Sequence, residues 1–188
     1  MKCVQTGCEF NNLRGSDFCR LHQRVDFKTL QKDPESADFK YVQPVSYFKH
    51  DVYLMGSLRN PRIPVVADQL RGLGLDVFDE WHAAGPGADD AWQAYEQMRG
   101  HTYEQALAGY PACHVFEYDK THVDASRIGV LLLPAGKSGH LELGYMLGKG
   151  KPGYIVYEGA VERYDVMYKF ATRVFGNVDD LFRVLEKR

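Results

Sequence analysis

The sequence predicts an α/β fold in which an open parallel sheet carries helices on both faces. From residue 51 onward, short apolar runs alternate with helix-length segments, a pattern typical of such sheets. The most apolar run, IGVLLLP at 128–134, has the composition expected of a central strand, because that strand is covered on both faces. Ligands of such sheets bind beyond the carboxyl ends of the strands, so the loops there are where we expect a site.

The individual elements follow from local patterns. We expect strands at 51–55, 75–78, 128–134 and 153–158, and helices at about 61–72, 90–108, 119–126, 140–148 and 178–188. Asn60 followed by Pro61 is typical of a helix N-cap with proline in the first turn, and Gly148 or Gly150 ends the fourth helix. The segment DEWHAAGPGADD after the second strand is expected to be a loop.

The length of 188 residues allows one ordinary domain and a small appendage. We divide the chain into residues 1–23, a polar linker at 24–50, and the α/β domain at 51–188. The net charge of −2 gives no general attraction to nucleic acid or anionic lipid, and no apolar run approaches the length of a membrane span. The first residues, MKCVQTGC, lack the apolar core of a secretory signal, which predicts a cytoplasmic protein.

The first segment carries a candidate zinc site. Cys3, Cys8, Cys19 and His22 have the spacing C-x4-C-x10-C-x2-H, which offers the four ligands of a tetrahedral site. In a reducing compartment such a cluster favours a metal over disulfides, although four unconnected polar residues are the alternative. The segment resembles the Cys-Cys-Cys-His zinc knuckles of some nucleases. With all four positions filled, the zinc would be structural.

The loop after the first strand is a candidate anion site. Gly56 allows a ligand to approach the backbone, and the following helix presents free N–H groups at the positive end of its dipole. Ser57 adds a hydroxyl group and Arg59 a forked cation, which together suit a phosphate. A Gly-Ser pair after a strand is also often only a turn.

The loop after the central strand is the second candidate. Its sequence PAGKSGHLELG lacks the spacing G-x-x-x-x-G-K-[ST], so it is not a P-loop. Ser138 and Gly139 remain candidates for ligand binding, and Glu142 is expected in the first turn of the following helix. A carboxylate there is also favoured by the helix dipole alone, and the residues by themselves leave both interpretations open.

These motifs together resemble the nucleoside 2-deoxyribosyltransferase family, over residues 51 to about 158. The branch that hydrolyses 2′-deoxynucleoside 5′-monophosphates is especially similar. The first strand of that family ends in Tyr-x-x-Gly-Ser-[Ile/Leu]-Arg, which the chain matches with Tyr53, Gly56, Ser57, Leu58 and Arg59. The Glu-Leu-Gly triplet at Glu142 matches the family nucleophile. Asp119 fits the family aspartate best, with Asp124 as the second candidate.

The resemblance implies that the chain makes or breaks N-glycosidic bonds. Glu142 would stabilise positive charge at the anomeric carbon or form a glycosyl ester, and Asp119 would supply or relay a proton to the base. Tyr53 would orient the carboxylate or the sugar, or else only pack at the end of its strand. Apart from the resemblance, Trp81 follows the second strand at the ligand edge of the sheet, where it would stack on a base or pack in the core or in a lid. The chemistry needs no metal or organic cofactor.

Family relatives form dimers or larger assemblies, and the helix expected at 90–108 is rich in aromatic residues, so we expect a homo-oligomer. Two alternative functions stay open: a nucleotide-sensing module on the same fold, and nucleic-acid binding assisted by the zinc knuckle. Base release separates the first alternative from an enzyme, and salt-dependent oligonucleotide binding that is lost on deleting 1–23 would support the second. The base, the sugar, the 5′ group and the choice between hydrolysis and transfer are not fixed by these motifs.

The zinc hypothesis predicts about one zinc per chain in the purified protein, as four protein ligands require. Cys19→Ser removes one ligand and should release the metal. Elemental analysis of both proteins checks this, and reduced, undamaged wild-type protein without zinc would contradict it.

Overall fold

A computed structural model describes residues 50–161 and 164–186, and these form a five-stranded sheet in which every neighbouring pair is parallel. The strands are β1 (His50–Met55), β2 (Val77–Phe78), β3 (Ser126–Leu132), β4 (Gly153–Val156) and β5 (Arg173–Phe175). Their order in the sheet is β2-β1-β3-β4-β5, the order of flavodoxin-like folds. The predicted α/β fold with a parallel sheet is confirmed, whereas the zinc knuckle lies outside the described residues.

Helices fill the connections between the strands. They are α1 (Arg62–Gly72), α2 (Ala88–Met98), α3 (Tyr103–Ala108), α4 (Tyr110–Asp124), α5 (Lys137–Gly148) and α6 (Val178–Leu185), with short 3-10 helices at Glu80–Ala84 and Val166–Phe170. Within the described ranges, none of the helices combines the length and the apolar character needed to cross a membrane.

The sheet is covered on both faces, as the pleat of β1 illustrates. Val52 and Leu54 belong to the apolar cluster that contains the buried residues of α1 and α6. Tyr53 and Met55 point the other way, because successive side chains of a strand alternate, and they join the cluster that contains buried residues of α4 and α5. The helix that carries Asp119 and the helix that carries Glu142 therefore pack on the same face.

The segment between β2 and β3 differs from the expected single helix at 90–108. Gly100 adopts a φ of 72°, and Thr102 opens a separate helix by accepting a hydrogen bond from the backbone N–H of Gln105 at 3.3 Å. The helix expected at 119–126 is also longer, since α4 begins at Tyr110. Val123 is the one buried residue of α4. The helix therefore has no buried face that would appear in the sequence as regularly spaced apolar residues.

The start of α5 corrects the expectation that Glu142 lies in the first helical turn. The helix begins at Lys137, which places Glu142 in its second turn. The helix-dipole effect falls off within the first turn, so it no longer accounts well for a glutamate at this position.

Candidate active site

A cavity of about 900 Å³ opens beyond the carboxyl ends of β1 and β3. We call it the cleft; its wall is formed by residues of the segments 56–59, 80–92, 107–123 and 136–145. Nine of the residues singled out in the sequence lie in this wall: Gly56, Ser57, Leu58, Arg59, Trp81, Asp119, Ser138, Gly139 and Glu142. The volume is within the usual range of small-molecule sites.

Two glycines allow the loops after β1 and β3 to meet. A Cβ atom on Gly139 would lie 2.9 Å from the Cδ1 atom of Leu131 and 3.7 Å from the backbone nitrogen of Gly56. A Cβ atom on Gly56 would collide with the side chain of Ile63. The Cβ atom on Gly56 would also lie 3.2 Å from the backbone oxygen of Leu132, so the close packing of this loop against the end of β3 depends on a residue without a side chain.

Glu142 and Asp119 form the electrostatic centre of the cleft. Burial and, to a smaller extent, the charge of Asp119 together raise the pKa of Glu142 to about 7. Burial likewise raises the pKa of Asp119 to about 6. Across the described part of the chain, neither carboxyl group forms a hydrogen bond or a salt bridge with another side chain. Both groups are therefore partly buried without a compensating partner, an arrangement common at functional sites.

Tyr53 lies beneath the cleft rather than in its wall. Its side chain is only 1% exposed and stacks on Phe78, with the ring centroids 5.2 Å apart. Burial raises the pKa of Tyr53 far above its ordinary value, and the charges of Glu142 and Asp119 add to the effect. The phenol is therefore protonated at neutral pH and lies within the electrostatic reach of both carboxyl groups.

The side chain of Arg59 forms an ion pair with a residue of the segment after β2. Its Nη2 atom donates a hydrogen bond to Asp90 Oδ2 at 2.8 Å, and its backbone N–H donates to Ser57 Oγ at 3.1 Å. Both members of the ion pair are exposed, so its contribution to stability is small. An anion that binds at this loop would compete with Asp90 for the guanidinium group.

Aromatic side chains form another part of the wall. The indole N–H of Trp81 donates to the carbonyl oxygen of Leu54 at 2.8 Å, which fixes the ring at the edge of the cleft. Trp92, Phe116 and Tyr145 also line the cleft and were not predicted. Of these, Tyr145 was the most accessible to sequence reasoning, because it lies three residues after Glu142 and so shares its face of α5.

The structure separates the two candidate aspartates. Asp119 lies in the wall of the cleft, whereas Asp124 does not. Although burial opposes ionisation of Asp124, hydrogen bonds from Lys120, Lys149 and Tyr145 hold its pKa well below its usual range. A carboxyl group that is ionised and already bonded to three donors is poorly suited to proton transfer, so Asp119 is the better candidate.

Within the described ranges, no group of three or more His, Cys, Asp or Glu side chains is placed to hold a metal ion. The four predicted zinc ligands, Cys3, Cys8, Cys19 and His22, lie outside these ranges. Comparison with known proteins shows that no protein-family model and no curated protein matches the chain.

The raised pKa of Glu142 predicts a pH-dependent stability. Because the value is about 7 in the fold and 4.5 ordinarily, the folded state binds the proton more tightly. The free energy of unfolding should therefore fall as the pH rises from about 4.5 to about 7. Glu142→Gln removes this loss. The melting temperature of the variant minus that of the wild type should therefore be larger at pH 8 than at pH 5.

Thermal denaturation at both pH values checks this prediction. Glu117→Gln, at an exposed position of α4, is the matched control, and the difference between its melting temperature and that of the wild type should change less between the two pH values. If the difference between Glu142→Gln and the wild type were the same at both pH values, the burial of an unfavourable charge at Glu142 would be disproved.

Proposed function

We propose that the protein cleaves or transfers the N-glycosidic bond of a nucleoside, a 2′-deoxynucleoside or the corresponding 5′-monophosphate, with Glu142 as the nucleophile. The observation that carries this proposal is the pair of carboxyl groups in one cleft, Glu142 on α5 and Asp119 on α4, both with a raised pKa. The Glu-Leu-Gly motif and the Tyr-x-x-Gly-Ser-Leu-Arg motif add independent support from the sequence.

The reaction needs one ionised and one protonated carboxyl group. An oxygen of ionised Glu142 forms a bond to C1′ of the sugar as the bond from C1′ to the base nitrogen breaks, and Asp119 donates a proton to the departing base. Attack by water at C1′, with one proton of the water passing to Asp119, then releases the sugar and restores both carboxyl groups, whereas attack by a second base that gives its proton to Asp119 completes a transfer. With pKa values of about 6 for Asp119 and 7 for Glu142, the pair holds a single proton over part of the range near neutrality. The order of the values favours the form with the proton on Glu142, so the reactive form, with the proton on Asp119, is the less populated of the two.

Tyr53 would act as a hydrogen-bond donor to this pair when a substrate is bound, since its phenol donates to neither carboxyl group in the structure of the chain alone. Its phenol keeps its proton, since burial and the two nearby carboxyl groups raise its pKa. A protonated phenol can donate to the Glu142 carboxylate and favour one orientation of its oxygens. The packing of the ring on Phe78 limits its motion, so the same residue serves both the core and the site.

The wall of the cleft suggests where the ends of a substrate would lie. Trp81, Trp92 and Phe116 offer aromatic surface suited to a planar base. The loop of Gly56 and Arg59 and the start of α5 at Ser138 and Gly139 offer polar groups for the sugar or a 5′ group. A 5′-phosphate would have to draw Arg59 from Asp90, so a comparison of each nucleoside with its monophosphate reports on this loop.

We also propose a homo-oligomer, in line with the family resemblance. Large apolar side chains of the segment from α2 to α4 are exposed in the single chain, among them Met98, Tyr103, Tyr110 and Phe116. Such a surface is suited to contact with a second copy. Light scattering tests the assembly, and a monomer at micromolar concentration would contradict it.

The direct test of the proposed function is base release. The wild type, Glu142→Gln and Asp119→Asn are incubated with a panel of nucleosides and monophosphates, and free base is measured by chromatography. We expect release by the wild type, a loss of at least about 10²-fold in Glu142→Gln, and a loss of about 10²–10⁴-fold in Asp119→Asn.

Glu117→Gln is again the control and should keep wild-type turnover. Folded Glu142→Gln protein with near-normal turnover would end the proposed mechanism. Binding of nucleotides by the wild type without any base release would favour the nucleotide-sensing module instead.

A further inference from the structure

A cluster of charged and aromatic side chains joins α4 to α5 beside the cleft; two of its members, Lys120 and Tyr145, line the cleft, and two, Asp124 and Lys149, do not. Asp124, the last residue of α4, accepts hydrogen bonds at Oδ1 from Tyr145 Oη at 2.9 Å and from Lys149 Nζ at 2.8 Å. Its Oδ2 atom accepts from Lys120 Nζ at 2.6 Å. Lys120 belongs to α4, Tyr145 belongs to α5, and Lys149 directly follows α5, so the carboxylate of Asp124 connects the two helices.

Cation–π contacts and hydrogen bonds to the backbone further constrain the cluster. The Nζ atom of Lys149 lies 4.8 Å from the centroid of the Tyr145 ring, and that of Lys120 lies 5.6 Å from it, so both cations are within reach of cation–π contact. The Nζ atom of Lys151 donates to the carbonyl oxygens of Val123 and Asp124 at 3.0 Å and 2.8 Å, which fixes the end of α4. Side chain and backbone of Asp124 are thus both held.

The position of the cluster relates it to the two carboxyl groups of the cleft. Asp119 lies five residues before Asp124 on α4, and Glu142 lies three residues before Tyr145 on α5. The link between the helices is therefore little more than one helical turn from each of the two carboxyl groups. Any slide or rotation of α4 against α5 that the cluster prevents would change the separation of Asp119 and Glu142.

We propose that Asp124 is a positioning residue that fixes the separation of Asp119 and Glu142 through its bonds to Tyr145 and Lys149. The proposal rests on the proposed function for its effect on turnover. Asp124 itself does not touch the substrate, because it lies outside the wall of the cleft and its oxygens already accept three hydrogen bonds. A network of several charges that is partly shielded from water holds its geometry better than a single exposed ion pair.

The separation that Asp124 sets has two measurable consequences. The first is turnover, because a displacement of about 1 Å at reacting groups costs about 10²-fold in rate. The second is the titration of the carboxyl pair, because the charge of Asp119 contributes to the raised pKa of Glu142. A residue that only supports the fold would lower the melting temperature without changing either property in the folded protein.

The experiment compares the wild type with Asp124→Asn and Tyr145→Phe, each confirmed to be folded at the temperature of measurement. Carboxyl-carbon NMR follows the titration of Asp119 and Glu142, and base release gives kcat and KM. We expect the titration midpoint of Glu142 to move in both variants, and kcat to fall about 10-fold or more with a smaller change in KM. Asp124→Glu, which restores the charge, should recover part of kcat.

Asp68→Asn is the matched control, because it removes an exposed aspartate from an ion pair with Arg71 on α1. It should leave the titration and kcat unchanged. Wild-type titration of both carboxyl groups in folded Asp124→Asn and Tyr145→Phe would overturn the proposal, even if the variants were less stable. If the wild type released no base, the proposed function would fail, and the titration would still decide whether Asp124 positions the pair.

Discussion

Two partly buried carboxyl groups that share one cleft impose the main electrostatic constraint on the described part of this molecule. An ionised carboxylate removed from water raises the free energy of the fold unless it is paired, and Glu142 and Asp119 receive no such pairing from the described side chains. Their raised pKa values of about 7 and 6 express this unfavourable environment. Such an arrangement lowers stability at neutral pH and favours a chemical role for the pair.

The parallel sheet makes this arrangement possible. Because β1 and β3 are neighbours, the loops that follow them meet at one edge, and Gly56 and Gly139 let them approach closely. The helices α4 and α5 lie on the same face of the sheet and each carries one of the two carboxyl groups. Asp124 joins these helices where they run past the cleft, with bonds to Tyr145 and Lys149. The sheet and the charged link at Asp124 thus hold Asp119 and Glu142 in place, although these two carboxyl groups form no stabilising contacts with other described side chains.

The sequence indicated much of the fold and part of the site, for physical reasons that differ among elements. The central strand β3 was recognisable because a buried parallel strand is apolar at nearly every position. The place of Glu142 after that strand left two interpretations open, and only the resemblance of its Glu-Leu-Gly motif to a known family favoured a chemical role. The edge strand β5 was missed because it has only three residues, two of them exposed, so it leaves no apolar run. The length of α4 was missed because only Val123 is buried on it.

The remainder of the site depends on tertiary contacts that no local pattern encodes. Trp92 on α2 and Phe116 on α4 both line the cleft, and nothing in their spacing distinguishes them from other aromatic residues of the segment between β2 and β3. Asp124 and Asp119 were both candidates in the sequence. The hydrogen bonds from Lys120, Lys149 and Tyr145 identify Asp124 as a structural carboxylate, whereas Asp119 faces the cleft.

The claim that Glu142 is a nucleophile is tested most directly by trapping its ester with the sugar. A nucleoside with fluorine at the 2′ position suits this purpose, because the electron-withdrawing substituent slows the loss of the sugar from the enzyme. After incubation and proteolysis, mass spectrometry should show the mass of the sugar on the peptide that contains Glu142, together with one equivalent of released base. Base release with the sugar attached to another residue, or no reaction with any nucleoside or monophosphate, would contradict the account.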